Sequence, residues 1–178
     1  MVYGKTDKTF ILVNYINSFS NSYLMEKLHA FLLEWAINYI KNRDLLKKNI
    51  ESIEKSKEDG FIVNFKDKKQ YFIVKPFIED FSEIINKINK GEYFSLVIFN
   101  TKENFKAIVD NWNILIEFKN LSIYFVNPFS QLDKKWIIYP YTHHKISDKA
   151  SLEIGLRTMF EMVESISKEE LNKKLDKF

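Results

Sequence analysis

The sequence predicts an α/β protein whose 178 residues fold as one domain, a three-layer α/β/α sandwich with a mixed central sheet. The first observation is a hairpin pattern from Gly60 to Pro76, in which two β-branched and aromatic runs flank a charged turn at Asp67-Lys68. The second is the alternation of helix and strand patterns that follows, including the almost continuously apolar run Tyr93 to Phe99. Such a strand is typical of a sheet with helices on both faces.

Three elements are predicted before the hairpin. The apolar run Thr9 to Ile16 predicts a first strand. Apolar residues recur at every third or fourth position from Tyr23 to Ile40, which predicts a long helix, with His29 as a hydrogen-bonded core residue. Asp44 is placed to cap a second, surface helix from Leu45 to about Lys57. The hairpin is then expected to be the first strand pair of the sheet.

Strands and capped helices alternate after the hairpin. Asp80 or Glu79 is expected to open a helix that Gly91 ends. Thr101 is placed to cap the helix that follows Tyr93 to Phe99. Short strands are expected at Ile114 to Phe118, Leu121 to Val126 and Trp136 to Tyr139.

The C-terminal part is predicted to be a loop followed by two helices. Tyr139 to Asp148 has the composition of an aromatic and basic loop, and Asp148 or Ser147 is placed to cap a long helix. Ser167 and Glu170 have the spacing of a capping box, so a last helix is expected to begin there and to end near Phe178. Residues 166–178 are therefore predicted to be a helical tail of the same domain.

The composition excludes several classes of site. The chain has no Cys, which excludes disulfides, thiolate nucleophiles and cysteine-ligated metals. It has four Gly residues and no glycine-rich phosphate loop, so nucleotide-dependent chemistry is not expected. No apolar run approaches the roughly 20 residues that span a bilayer, and residues 1–17 lack the pattern of a signal peptide. We expect a soluble, cytoplasmic protein without membrane association and without an organic cofactor.

The positive charge is carried almost entirely by Lys. The formal net charge is +3, and Arg43 and Arg157 are the only guanidinium groups. Because Arg forms the bidentate contacts with guanine, a nucleic acid partner is expected to be recognised through its backbone or its shape. Cations gather beside aromatic residues at Lys66, Lys68, Lys69, Lys134, Lys135, His143, His144 and Lys145, which are the candidate nucleic-acid contacts. The alternative for the later cluster is a polar loop that caps the sheet.

The order helix, hairpin, helix, strand over residues 23–126 resembles the core of the PD-(D/E)XK nuclease superfamily, which includes restriction endonucleases and archaeal Holliday junction resolvases. In that superfamily an acidic residue on the first helix, an Asp at the first core strand and an acidic-x-Lys triplet on the second surround Mg²⁺. The matching positions are Glu26 or Glu34, then Asp59, and then the triplet Ile73-Val74-Lys75. The resemblance implies a restriction-endonuclease-like fold in which Asp59 and Lys75 are catalytic and Mg²⁺ is the cofactor.

The chain departs from this pattern at Ile73, because a hydrocarbon side chain occupies the acidic position of the triplet. Some members of the superfamily carry this acid on the following helix, for which Glu79, Asp80 and Glu83 are candidates. The metal ligands of an active enzyme are then expected to be Glu26, Asp59 and Glu79.

Three functions are compatible with these patterns. The missing acid favours a nuclease-fold protein with a degenerate active site, which binds nucleic acid as a non-catalytic or accessory subunit and shows little or no metal-dependent cleavage. One alternative is an active Mg²⁺-dependent nuclease with a migrated carboxylate. The other is an intracellular protein-interaction domain that works without nucleic acid.

The C-terminal residues Asn172 to Phe178 resemble a sliding-clamp-binding peptide. Asn172 stands where such peptides usually have Gln, Leu175 is the aliphatic fourth residue, and one terminal aromatic remains. The resemblance implies a protein partner that contacts this tail. The end of an ordinary amphipathic helix accounts for the same residues.

Overall fold

The first helix, α1, is longer than the sequence predicts. The structure, a computed structural model, describes residues 6–56 and 59–176, with side chains from residue 22 onward. Helix α1 runs over Thr6–Asp44, a length of 39 residues. The strand predicted at residues 9–16 is therefore wrong. A short apolar run has no periodicity that separates a strand from a buried helix, and here it continues into a long helical segment.

Asp44 ends α1 and leads into a strand, so the helix predicted from residue 45 is wrong. The Asp44 carboxylate accepts hydrogen bonds from the backbone N–H groups of Asn49, at 2.9 Å, and Ile50, at 2.8 Å. Lys48 adopts a left-handed φ of 49° in this turn. The chain then forms β1, Ile50–Lys55, in which Ile50 and Ile53 pack against the core.

The predicted hairpin is confirmed. β2, Gly60–Phe65, and β3, Lys69–Val74, pair in antiparallel register, with Phe61 opposite Phe72. The hairpin is not the first pair of the sheet, because β1 pairs antiparallel with β2. Glycine is required at position 60, since a Cβ there would lie 1.9 Å from the carbonyl oxygen of Phe72.

The remaining strands extend the sheet in chain order. They are β4, Tyr93–Phe99; β5, Leu121–Val126; and β6, Lys135–Ile138. The spatial order is β1-β2-β3-β4-β5-β6, with β4 parallel to β3, β5 parallel to β4, and β6 antiparallel to β5. The predicted mixed sheet is confirmed. Because β3, β4 and β5 run in the same direction, their carboxyl ends lie at one edge of the sheet.

Four of the later helices begin at predicted capping residues. The helices are α2, Phe81–Ile85; α3, Lys102–Asp110; α4, Trp112–Leu115; α5, Pro140–Ile146; α6, Lys149–Met162; and α7, Lys168–Leu175. Asp80, Thr101 and Asp148 cap α2, α3 and α6 through side-chain oxygens. Ser167 forms the predicted capping box of α7.

Three local predictions in the second half of the chain are wrong. Residues 114–118 contain the end of α4 and a turn, and not a strand. Helix α5 occupies the predicted loop at residues 139–148, because Pro140 has the φ that suits a first helical turn. Helix α2 ends at Ile85, and Gly91 takes its positive φ of 101° close to the start of β4.

Helices cover both faces of the sheet. α1 and α7 pack on one face, through core residues that include Leu32 and Leu171. α2, α3 and α6 pack on the other face, through Ile84, Ile108 and Leu156. The layers are those expected of an α/β sandwich. Within the described residues, no helix has both the length and the apolar character needed to cross a membrane.

Candidate functional site

A cavity of about 350 Å³ opens at the sheet edge where β3 ends and β2 begins. α/β proteins commonly bind ligands in crevices outside the carboxyl ends of their strands. The cavity lies between α1 and the segment that leads into α2. Its lining includes the predicted site residues Glu26, Asp59, Lys75 and Glu79, together with His29 and Glu83.

Lys75 is held between two carboxylates. Its Nζ lies 2.7 Å from Asp59 Oδ2 and 3.4 Å from Glu83 Oε2. The hairpin register brings the first pair together, because the Asp59 carbonyl accepts a hydrogen bond from the Val74 N–H at 2.8 Å. The Lys75 N–H donates to the Val97 carbonyl at 3.0 Å, which continues the pairing between β3 and β4. The backbone therefore fixes where the ammonium group lies.

The ion pairs shift the pKa values of Asp59 and Lys75 in opposite directions. The hydrogen bond from Lys75 lowers the pKa of Asp59; partial burial opposes this effect, and the charges of Lys75 and Lys87 strengthen it. Burial works against the charged form of Lys75, but the hydrogen bonds and charges of Asp59 and Glu83 outweigh it and raise the pKa of Lys75. At neutral pH Asp59 is therefore ionised and Lys75 is protonated.

The acidic position of the triplet is filled by a packed side chain. Ile73 lies opposite Gly60, is 8% exposed, and belongs to the same core cluster as Ile84 of α2. Of the three candidates for a substitute acid, Glu83 forms the ion pair with Lys75. Asp80 caps α2, and Glu79 lines the cavity.

The donor set suits Mg²⁺ only in part. Among residues 6–56 and 59–176, no three His, Asp or Glu side chains are gathered around one metal position. Mg²⁺, however, commonly keeps several waters and takes one or two carboxylates together with substrate phosphates. Asp59 and Glu83 are two such carboxylates, both paired with Lys75, and Glu26 is exposed on the same cavity. Glu34, the alternative on α1, lies outside the cavity lining.

His29 is half-buried at the wall of this cavity. Its Nε2 is buried and has no hydrogen-bond partner among the described residues, so the predicted hydrogen-bonded histidine is wrong for this nitrogen. A positive charge on His29 would favour ionised Asp59 and contributes to lowering the pKa of that carboxyl. Helix α1 thus contributes both an acid and an imidazole to the cavity.

Asn104 of α3 positions the cavity wall, and the sequence patterns do not reveal it. Its side chain is fully buried, and Nδ2 donates to the carbonyls of Pro76 and Phe99, both at 2.9 Å. Its Oδ1 accepts from the Ile78 N–H at 2.9 Å. These bonds hold the segment between Lys75 and α2. The sequence signal that could have identified Asn104 is its place as a polar residue on the core-facing side of a short amphipathic helix.

The lysines of the hairpin turn lie at the opposite edge of the sheet from Lys75, separated from it by the length of β3. Lys68 Nζ lies 4.6 Å from the ring centroid of Tyr93, and Lys69 Nζ lies 5.1 Å from that of Tyr71. Lys66 is exposed beside them in the turn. These cations therefore stand beside aromatic rings, as the sequence pattern indicates, but away from the Asp59–Lys75 cluster.

His143, His144 and Lys145 of α5 lie at the same edge as the hairpin turn, because β6 leads the chain there with Ile138 opposite Ile123. Lys145 Nζ lies 4.8 Å from the ring centroid of Tyr141. His143 Nδ1 lies 2.8 Å from the Tyr139 carbonyl oxygen, and His144 is exposed on the same helix.

Lys134 and Lys135 are not part of this group. They lie at the start of β6, where Lys135 is opposite Val126 at the carboxyl end of β5. Lys135 Nζ lies 5.0 Å from the ring centroid of Tyr39, and Lys134 donates to the Ser130 carbonyl. The structure therefore divides the predicted cations between two edges of the sheet.

The C-terminal segment packs against α1. Leu171 and Leu175 of α7 are buried, and Lys27 Nζ donates to the Leu175 carbonyl at 3.0 Å. Leu175, the aliphatic position of the clamp-like pattern, is 2% exposed, so a partner can contact its side chain only if α7 leaves α1. Phe178 lies outside the described residues.

Tyr124 on β5 gives a pH-dependent test of the packing between α1 and the sheet. Burial raises the pKa of its phenol from 10.0 to about 12. Because the folded pKa is the higher one, its stabilising contribution is complete below pH 10 and is lost as the pH rises towards 12. We expect the fall in the free energy of unfolding over this range to be smaller in Tyr124→Phe than in the wild type by on the order of 2 kcal/mol, because the lysines lose their charge in both proteins. Urea denaturation at about pH 9.5 and about pH 11.5 measures it; an equal fall in both proteins would contradict the assignment.

Comparisons with protein-family models, with curated proteins and with solved structures gave no match for this chain.

Proposed function

We propose that the protein is a Mg²⁺-dependent nuclease of the restriction-endonuclease-like fold, in which Glu83 supplies the acid that position 73 lacks. The observation that carries this proposal is the meeting of Asp59 and Glu83 at Lys75 Nζ, at 2.7 and 3.4 Å. The element order supports it: α1, then the β2–β3 hairpin, then α2, then β4 parallel to β3. This is the order of helix, hairpin, helix and strand on which the resemblance rests.

The charge of the cavity also supports a metal-dependent reaction. Among the described residues of its lining, carboxylates outnumber cations, and the carboxylates are Glu26, Asp59, Glu79, Asp80 and Glu83. An acidic cavity repels a phosphodiester unless a cation offsets its charge. A bound divalent ion is often the largest local charge in a site and reverses the sign of the local field. The lining therefore fits a phosphodiester that enters together with Mg²⁺.

Each residue of the cluster has a distinct role in this proposal. Asp59 and Glu83 would hold Mg²⁺, with Glu26 as a further carboxylate on the cavity wall. Mg²⁺, when bound, supplies charge stabilisation at the phosphate and lowers the pKa of water. The pKa of Lys75 is raised, so its protonated amine would donate hydrogen bonds and orient the attacking water, and would not act as a base. Asn104 would keep the wall in place.

Cleavage assays test the proposal directly. Purified protein is expected to cut duplex, branched or single-stranded nucleic acid when Mg²⁺ or Mn²⁺ is present, and to stop when the metal is chelated. Lys75→Met is expected to lower the rate at least ~100-fold, because the hydrogen-bond donor at the reacting water is lost. Absence of cutting on all of these substrates with both metals would contradict the proposal.

A non-catalytic nucleic-acid-binding protein is the second candidate, and the buried Ile73 in the acidic position favours it. Its contacts would be the hairpin lysines and α5 at the opposite edge. Binding is then expected to weaken steeply with salt and to depend little on sequence. The combined change Lys66→Glu, Lys68→Glu, Lys69→Glu is expected to weaken binding measured at ~50 mM salt, where screening is slight. Strong binding by the wild type without cleavage would favour this candidate over the nuclease.

A further inference from the structure

A second cavity lies at the amino edge of the sheet, at the other end of β3 from Lys75. We call it the amino-edge cavity. Its volume is about 380 Å³, and α1, the hairpin turn and the start of β5 surround it. Pockets of this size are common for small ligands. The residues that carry the inference are Arg43, Lys47, Lys68, Lys119, Tyr93 and Tyr139.

The lining of the amino-edge cavity has a surplus of positive charge. Its cations are Arg43, Lys47, Lys68 and Lys119, and none of them has an ion pair with a described residue. Its two acids, Asp44 and Asp67, already accept hydrogen bonds. Asp44 accepts from two backbone N–H groups, and Asp67 accepts from Asn49 Nδ2 at 3.3 Å. The cations therefore remain available to an anionic ligand.

Aromatic rings and polar groups complete the amino-edge cavity. Tyr93 and Tyr139 are 39% and 42% exposed. Lys68 Nζ lies over the Tyr93 ring and His143 stacks on the Tyr139 ring, so a flat ligand would take the opposite face of each ring. Two polar side chains, Gln70 and Ser122, also line the cavity, and both lie within hydrogen-bond distance of Ser95 Oγ, at 2.6 and 2.7 Å. The site thus combines cations, stacking surfaces and hydrogen-bonding groups in one pocket.

We propose that the amino-edge cavity binds a nucleoside phosphate, either free or as the end of a nucleic acid strand. Arg43 and Lys119 would contact the phosphate, the tyrosine rings would stack on the base, and Gln70 and Ser122 would meet its edge or the sugar. The cations come from side chains, so the scarcity of glycine does not prevent phosphate binding here. The site is separate from Asp59 and Lys75 and does not depend on the proposed nuclease activity.

Binding is tested by calorimetry on the full chain in the presence of EDTA, with adenosine 5′-monophosphate, a short 5′-phosphorylated oligonucleotide and inorganic phosphate as probes. Arg43→Gln and Lys119→Gln are each expected to raise the dissociation constant at least ~10-fold. Lys106→Gln is the matched control, because Lys106 is an exposed lysine of α3 that is paired with Asp110. This substitution is expected to leave the dissociation constant unchanged.

The probes separate the two sources of the ligand. Tight binding of the mononucleotide identifies a free nucleotide, whereas tight binding of the oligonucleotide alone identifies a strand end. Inorganic phosphate binding as tightly as the nucleotide, no binding of any probe, or binding unchanged in both variants would overturn the proposal. Because calorimetry in EDTA measures binding without cleavage, and cleavage by the wild type and Lys106→Gln is measured separately with Mg²⁺, a failure of this proposal and a failure of the nuclease proposal are distinguishable.

Discussion

Glu83→Gln and Asp59→Asn are each expected to lower the rate of metal-dependent cleavage at least ~100-fold, whereas Glu79→Gln changes it less than ~3-fold. Among residues 6–56 and 59–176, Glu83 and Asp59 are the two carboxylates within ion-pair distance of Lys75 Nζ. Replacing either one with its amide removes a charged oxygen ligand and one of the two ion-pair partners that position the Lys75 ammonium group. Single-turnover rates at saturating protein measure the chemical step without the contribution of substrate binding.

Glu79→Gln is the matched control, because Glu79 lines the same cavity but forms no ion pair with Lys75. All three substitutions keep the size of the side chain and are exposed or partly exposed, so the folded state is expected to survive. Circular dichroism of each variant checks this. A loss in Glu79→Gln equal to that in Glu83→Gln would show that Glu79, which the sequence pattern suggests as a metal ligand, is as important as Glu83. Full activity of Glu83→Gln would contradict the role proposed for Glu83.

Asn104→Ala is expected to lower the free energy of unfolding by about 3 kcal/mol. The side chain is fully buried and makes three hydrogen bonds, to the Pro76 and Phe99 carbonyls and from the Ile78 N–H. Alanine leaves these backbone groups without partners inside the protein, which costs more than the loss of an exposed bond. Urea denaturation monitored by far-ultraviolet circular dichroism measures the change.

Asn111→Ala is the control for the loss of an Asn side chain on the same helix. Asn111 is half-buried at the C-terminal cap of α3, and its Nδ2 donates to the Ala107 carbonyl at 2.8 Å. Its removal is expected to cost less than about 1 kcal/mol, because water can replace the lost bond. Similar losses in the two variants would show that the buried bonds of Asn104 contribute no more than an ordinary helix cap.

The elements predicted best are those with strong local signals. The β2–β3 hairpin follows from a polar turn between two β-type runs. The helices that begin after Asp80, Thr101, Asp148 and Ser167 follow from capping residues, whose hydrogen bonds are made within one turn. Such signals need no information about distant parts of the chain.

The incorrect elements are those whose conformation depends on distant packing or on turn geometry. Residues 9–16 have strand propensity, but they lie within α1, and a short apolar run cannot by itself distinguish a strand from a helical segment. Residues 50–55 have a weak helical stripe, but the turn at Asp44 directs them to pair with β2. Propensity is a weak guide where tertiary structure opposes it.

The candidate site was partly predictable. The chain order placed Asp59 and Lys75 at the same end of the hairpin, and the structure puts them 2.7 Å apart. The choice of Glu83 over Glu79 depends on how α2 packs through Ile84, which no local pattern encodes. The predicted lysine clusters lie at two edges of the sheet because β6 runs antiparallel to β5. No local pattern encodes the direction of that strand.

The Mg²⁺ dependence of single-turnover cleavage, compared between the wild type and Glu83→Gln, tests the role of this cluster most directly. If Asp59 and Glu83 hold the metal, the wild type cuts in a metal-dependent manner, and Glu83→Gln needs at least ~10-fold more Mg²⁺ for half its maximal rate, because a ligand is lost. The same Mg²⁺ dependence in both proteins would assign Glu83 to the support of Lys75 alone. No metal-dependent cleavage by the wild type at any Mg²⁺ concentration would contradict the proposed nuclease.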